Sequence, residues 1–261
     1  MVAALTIIGA GGAAWAQSAA PVAIDPCAAA AGGQVAIETI TPFGDFRLSD
    51  GRLGRLADLD LGADAVTAGR WPDHVGAIGQ LVGGMLVRAD EGANYPDRWG
   101  RRPLRLSPIA SEGGSIHRQL VARGLARVAP LGEQDACAAS LLPVEAGARD
   151  QKLGLWREPA ARLLAAQEVA AIQALTGRFA IIQGEIISVG ERPRRIYLNF
   201  GRDFRRDFTA TLSPRTARLL EKAGITPSSL RGKVVRIRGM VAQRRAPAIE
   251  VTGLGQIEVI K

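Results

Sequence analysis

From Val35 onward the chain alternates apolar and polar positions in short runs, Val35–Ile40, Phe43–Leu48 and Leu53–Leu59, separated by Thr41-Pro42 and Ser49-Asp50-Gly51. A period of two marks half-buried strands, and Asp-Gly between two such runs is a hairpin signal, so this region reads as an antiparallel meander. The period then lengthens. Trp71-Pro72-Asp73 through Ile78 and Leu81 predicts a helix, with proline in the first turn and Gly83-Gly84 at the end. Met85–Ala89 and Leu104–Ile109 return to a strand pattern on either side of a turn at Asp97–Arg101. Ser115–Arg123 predicts a second helix stopped by Gly124, and Leu125–Val128 a short strand. Leu142–Leu153 predicts a third helix, with Pro143 in its first turn. Ala160–Leu175 is alanine-rich and predicts a helical spacer.

Beyond Gly177 the strand pattern dominates again. Arg178–Val189, Arg195–Phe200, Asp207–Leu212, Lys233–Val241 and Ala248–Val251 are strand candidates, with a helix at Thr216–Ala223 between the third and the fourth. That is the order expected of an OB-type barrel, with Gln256–Ile260 left to cover its edge. The expected class is therefore mainly β with helices, an α+β chain of two barrels. Its expected parts are a signal peptide over 1–16, a flexible leader over 17–34, a first domain over 35–157, a helical linker over 158–176 and a basic OB-like domain over 177–261.

Composition changes this picture in two places. The chain has 261 residues and a 47% hydrophobic share, enough for two packed cores. Its charge is unevenly spread: residues 177–261 carry 17 Lys and Arg against 7 Asp and Glu, whereas residues 1–176 carry 16 against 18. The second half thus has an electrostatic pull on polyanions or anionic surfaces that the first half lacks. Met1–Gln17 is apolar, has no charged side chain and contains the small-x-small sequence Ala14-Trp15-Ala16, the pattern of a signal peptide; an uncleaved anchor is the alternative. Export to the periplasm or beyond would place Cys27 and Cys137 in an oxidising compartment, where they either pair with each other or stay as two unpaired small residues.

The chemistry concentrates in Arg55–Asp64, Arg-Leu-Ala-Asp-Leu-Asp-Leu-Gly-Ala-Asp, and in Asp97-Arg98-Trp99-Gly100-Arg101. Two arginines that grip a phosphate, beside carboxylates that hold a divalent cation, point to phosphoryl chemistry. Arg55 and Asp60 face opposite ways along an unbroken strand, so the strand must end or bulge between them if both serve one pocket. Plainer roles exist for the same residues. Arg55 and Arg101 are also placed to pair with Asp58, Asp60 or Asp97 on a barrel rim. Glu145 and Arg149 are spaced for a local helical ion pair, and His74 and His117 read as surface residues. In the second half, Phe179, Tyr197, Phe200, Phe204 and Phe208 lie among Arg192, Arg194, Arg195, Arg202, Arg205 and Arg206. That mixture suits single-stranded nucleic acid, or else a core of aromatics under a solvated basic surface.

Taken in order, Gly44-Asp45, Asp50-Gly51-Arg52, Arg55-Leu56 with Asp60, Asp97–Arg101, Gly124-Leu125-Ala126-Arg127-Val128, Glu145 with Ala148-Arg149, and Gly154-Leu155-Trp156 resemble the thermonuclease, or staphylococcal nuclease-like, family over residues 35–157. Tyr197–Gly201 with Asp207-Phe208-Thr209 resembles the additional OB-like domain of exported members. The resemblance implies Ca²⁺-dependent cleavage of DNA and RNA. By position, Asp45, Asp60 and the carbonyl of Leu61 would be the metal ligands, and Arg55 and Arg101 would hold the phosphoryl oxygens. Arg98, Trp99, Tyr197, Phe200, Arg202, Arg205 and Arg206 are candidate nucleic-acid contacts. The chain departs from the family where a glutamate activates the attacking water, because Ala63 stands there. Asp64, one residue on, is the candidate substitute base. Losing a general base costs about 10²–10⁴ in rate. The expectation is a nucleic-acid or polyanion binder impaired as a nuclease, the alternatives being an active nuclease and a non-catalytic envelope module.

Overall fold

The computed structural model describes residues 25–29, 32–91, 96–109, 114–132 and 136–260; the expected signal peptide and most of the leader lie outside them. β1 (Gln34–Ile40), β2 (Phe46–Leu48) and β3 (Leu53–Leu56) form the anticipated meander. β4 (Leu59–Asp60) is a separate short strand, and after α1 (Trp71–Val82) come β5 (Leu86–Asp90) and β6 (Arg102–Pro108). β1, β2, β3, β6 and β5 close into a barrel in that order, with β3 and β6 parallel and the other neighbours antiparallel.

Alternation puts Phe46, Leu48, Val87, Leu104 and Leu106 inside the barrel, while Arg47 and Arg88 point out. In β1 the register shifts between Ile37 and Thr39, so that Val35, Ile37 and Ile40 are all buried despite their uneven spacing. Each such side chain contributes about 1.5–3 kcal/mol by leaving water.

α2 (Ile116–Ala122) is capped by the Ser115 hydroxyl, which accepts from Arg118 N. It buries His117, contrary to the surface position expected for it; His74 is half-buried. β7 (Arg127–Val128) pairs with β4. α3 runs from Ala136 to Asp150, so Pro143 lies inside the helix rather than in its first turn. The buried face of Cys137, Ala138, Leu141, Glu145 and Ala148 continues through the proline, and packing of that face outweighs the roughly 3 kcal/mol that an interior proline costs.

Part of the expected leader is also packed. Cys27 is bonded to Cys137, and the Asp25 carboxylate accepts from the backbone N–H of both Cys27 and Ser115. A disulfide suits an oxidising, extracytoplasmic compartment. Among the described residues, no helix is long and apolar enough to cross a membrane.

The helical spacer expected over 158–176 is not one. β8 (Leu164–Ala165) pairs in parallel with β9 (Phe179–Glu185), and only Val169–Gln173 (α4) is α-helical. Leu164, Ala166 and Ile172 are buried in the second core, and a salt bridge from Arg162 to Glu168 draws the glutamate carboxyl down to about 2. Long-range pairing has overridden the helix preference of the alanines.

The remaining strands are β10 (Ser188–Arg192), β11 (Arg195–Asn199), β12 (Thr209–Leu212), β13 (Val234–Gln243), β14 (Pro247–Val251) and β15 (Ile257–Val259), with α5 (Pro214–Lys222) after β12. The sheet order is β10-β11-β12-β14-β13-β9-β8, with β15 also on β13, and the sheet curls into a half-barrel. The first strand expected here, Arg178–Val189, is broken at Ile186-Ile187 into β9 and β10.

The two halves are packed together. Arg238 of β13 is wholly buried; its Nη1 donates to Glu145 Oε2 (2.9 Å) and to the carbonyl of Val128 (3.0 Å), while Glu145 Oε1 accepts from Val128 N (2.7 Å). Glu145 is thus an inter-barrel anchor and not half of the local pair expected with Arg149. Ala148, Trp156, Phe179 and Ile181 form a shared apolar cluster beside it.

Candidate functional site

The barrel topology explains why residues far apart in sequence meet. β3 and β6 run parallel with Gly54 opposite Arg102, so Arg55 and Arg101, one step to either side of that pair, emerge at the same rim. The approach is close: a Cβ on Gly54 would lie 2.4 Å from the carbonyl oxygen of Arg102, so no larger residue fits there. β2 is antiparallel to β3 with Phe46 opposite Gly54, and the next step places Asp45 across from Arg55.

The result is a compact ionic cluster. Arg55 Nε donates to Asp45 Oδ1 at 2.7 Å, and Arg101 Nη1 lies 3.6 Å from the same oxygen. Asp45 is buried, whereas the Arg55 side chain is 53% exposed. Arg101 is held from behind by Asp97, whose Oδ2 accepts from Nε (2.8 Å) and Nη2 (2.7 Å). Arg101 keeps the Asp97 carboxyl below the usual carboxylate range. Trp99 is exposed at the tip of this turn, with the guanidinium of Arg98 4.0 Å and that of Arg101 4.5 Å from its ring centre. The rim therefore presents the guanidiniums of Arg55, Arg98 and Arg101 with two carboxylates, Asp45 and Asp97, and one indole.

Next to it lies a small cleft of about 90 Å³ lined by Phe43, Gly44, Arg55, Leu56, Leu59, Asp60, Leu61, Ala63 and Trp71. The break needed between Arg55 and Asp60 is present: β3 ends at Leu56, Asp58 adopts a positive φ of 60°, and the chain restarts as β4. Arg55, Asp60, Leu61 and Ala63 consequently share one cleft. Asp64 is exposed and is not among its lining residues. Gly62 has φ 78°, and a Cβ there would sit 2.6 Å from the Leu155 side chain, so the turn carrying Ala63 is fixed by packing against the Leu155 segment.

The donor set does not fit calcium, which takes six to eight oxygens. Asp45 is engaged by two arginines, and Asp60 Oδ2 accepts from both Nε (2.8 Å) and Nη2 (2.7 Å) of Arg127. Arg127 is itself buried and lies 5.0 Å from the ring of Phe179 in the second half, so Asp60 serves the junction between the halves. Among the described residues no three His, Cys, Asp or Glu gather as a metal-holding group.

The second-half candidates separate into two kinds. Tyr197 is exposed on β11, and Arg202, Arg205 and Arg206 are exposed in the loop after it. Phe200, taken from the sequence as a stacking residue, is in the core against Phe208 with ring centres 5.1 Å apart, so it has no face for a base. Alternation alone separates the two: Ile196 and Leu198 point inward and Tyr197 outward, and after β11 the chain turns in, carrying Phe200 with it. Arg244 and Arg245, which the sequence reading passed over, stand across the same outer face from Tyr197. No protein-family model matches this chain, and no curated protein matches it, so the site is read from its own geometry.

Proposed function

We propose that this is an exported, thermonuclease-like protein that binds nucleic acid, or a polyanion of similar charge spacing, without efficient hydrolysis. The observation that carries the proposal is the convergence of Arg55 and Arg101 on one oxygen of Asp45 beside a cleft whose wall contains Ala63. Two forked guanidiniums that meet on one carboxylate oxygen are arranged to hold an oxyanion, and phosphate is the commonest oxyanion that such forks recognise. Alanine has no proton acceptor, and the exposed Asp64 stands outside the cleft, so binding is retained where water activation is not.

The strand order of the first barrel, with its parallel β3–β6 pair, supports the OB-type reading, and so does the ordered set of motifs from Gly44 to Trp156. A similar reading of the second half takes β9 and β10 as one bent strand, with β11, β12, β14 and β13 completing an OB-like order.

The test is a digest of single-stranded DNA with calcium and with a chelator, comparing the native chain with Ala63→Glu, alongside a binding assay on Arg101→Ala. The expected result is binding without measurable cleavage by the native protein, weaker binding by Arg101→Ala, and any gain of cleavage confined to Ala63→Glu. Calcium-dependent cleavage by the native chain at the rate of the variant would make it an active nuclease instead. Absence of polyanion binding even at low salt would leave an envelope module.

A further inference from the structure

The outer face of the second sheet contains a larger groove, of about 470 Å³, whose walls carry Arg192, Arg195, Tyr197, Phe204, Arg244 and Arg245. Its origin is the period of two. Residues 190 and 192, 195, 197 and 199, 209 and 211, and 246 and 248 share one face, whereas Ile196, Leu198, Ala210, Leu212, Ile249 and Val251 fill the core on the other. Along the strands, Gly190 pairs with Tyr197, Tyr197 with Thr211, and Asn199 with Thr209. The small residues Gly190, Ala246 and Ala248 leave the floor open between the larger side chains.

Three features give this groove a ligand chemistry. Four arginines line it and no carboxylate does; Glu250, beside it, contacts Arg195 at 3.7 Å and Arg244 at 3.2 Å but offsets only one of the four charges. Two aromatic side chains, Tyr197 and Phe204, are exposed within it, 36% and 60% respectively. On its floor Thr211 is 3% exposed, and its hydroxyl has no hydrogen-bond partner among the described residues. A buried hydroxyl without a partner is costly, and such groups in native proteins call for a ligand or a bound water. Inorganic phosphate would leave two aromatic faces unused, and an apolar ligand would leave four guanidiniums unused.

We infer that this groove is a second, separate binding site, and that it takes a nucleotide unit, with the base against Tyr197 or Phe204, the phosphate on the arginines and a polar edge or sugar hydroxyl on Thr211. The inference rests on the polyanion reading above and specifies a site outside the first barrel. The unit would come either from a free nucleotide or from a single strand; both carry a base and a phosphate.

The test measures the binding of labelled oligothymidylate and of thymidine monophosphate, each to the full chain, by anisotropy and calorimetry. Tyr197→Ala and the double variant Arg195→Ala/Arg244→Ala are each expected to weaken the oligonucleotide about tenfold or more, with Tyr197→Phe retaining affinity. Thr211→Val keeps the shape, removes the hydroxyl, and is expected to weaken binding severalfold without loss of thermal stability. Circular dichroism confirms that each variant is folded. Binding of both probes at this site identifies a free nucleotide as sufficient; binding of the oligonucleotide alone identifies a strand. Unchanged affinity in folded Tyr197→Ala and in the double variant overturns the inference. If Arg55→Ala and Arg101→Ala then abolish binding, the first-barrel reading stands without it; if they too change nothing, both fall.

Discussion

The two halves of the molecule treat their arginines differently. On the first barrel nearly every guanidinium near the cleft has an acid of its own: Arg55 and Arg101 share Asp45, Arg101 also has Asp97, Arg105 has Asp58 and Arg127 has Asp60. On the second sheet four arginines line one groove with a single glutamate beside them. A charge matched within the fold chiefly positions other groups, and an incoming phosphate must displace its partner. A surplus charge is available to a ligand at once. Under the proposed function, the contrast predicts that polyanion affinity resides mainly in the second half, with the arginines at Asp45 adding a smaller share.

That comparison holds only if the halves act as one body, which the buried Arg238–Glu145 contact enforces. Arg238→Ala leaves the buried Glu145 carboxylate with its Val128 N–H bond but without its cation, and is expected to cost about 3–5 kcal/mol in urea unfolding. Splitting of a single unfolding transition into two in this variant would show the contact to be the bolt between the barrels. A loss under 1 kcal/mol, with one transition kept, would show that the apolar cluster around Trp156 and Phe179 suffices.

The second comparison is of salt dependence. Each phosphate neutralised on a single strand adds about 0.7 to the slope of log affinity against log salt. Arg244→Ala with Arg245→Ala should flatten that slope by roughly 1.4, whereas Arg55→Ala, whose charge is already matched by Asp45, should flatten it less. Equal flattening by both would erase the distinction drawn between the halves.

The smallest expected effect is one of pH and is confined to the first half. His74 stacks on Trp71, which lines the small cleft, and its Nε2 lies 3.1 Å from the carbonyl of Leu125. Burial lowers its pKa below the ordinary 6.5, against opposing contributions from that carbonyl and nearby acids. The unfolded chain therefore takes up a proton at a higher pH than the folded one. Its contribution to stability is full above pH 6.5 and is lost as pH falls towards the folded value. His74→Gln should flatten the acid limb of a stability–pH profile between pH 6.5 and the onset of carboxylate protonation; an unchanged profile would remove His74 from the account.

Much of this was legible in the sequence because it rests on local periodicity. Most strands of the first barrel, α1 with its proline start and double-glycine end, the helix after Ser115 and most strands after Gly177 follow from spacing that a single side of a sheet or helix imposes. The pattern read Leu53–Leu59 as one strand; a pocket shared by Arg55 and Asp60 required a break in it, and the positive φ of Asp58 marks that break. Where reading failed, a distant partner decided. Ala160–Leu175 favours helix residue by residue, but β8 found β9; Glu145 has Arg149 at helical spacing, but Arg238, 93 positions on, took it. Phe200 failed for a different reason: it lies three positions from Tyr197, so strand alternation already assigned the two to opposite faces.

The sequence by itself determined the alternation of strands, the uneven charge and the presence of alanine at position 63, since each is a property of residue identity and order. The tertiary structure alone decided that Arg55 and Arg101 meet on Asp45, through the parallel β3–β6 pair, and that Asp60 serves Arg127. It alone gathered Arg192, Arg195, Arg244 and Arg245 around Thr211, whose hydroxyl has no partner among the described residues. Periodicity shows which way a side chain points, but which side chains then face one another depends on which strands pair.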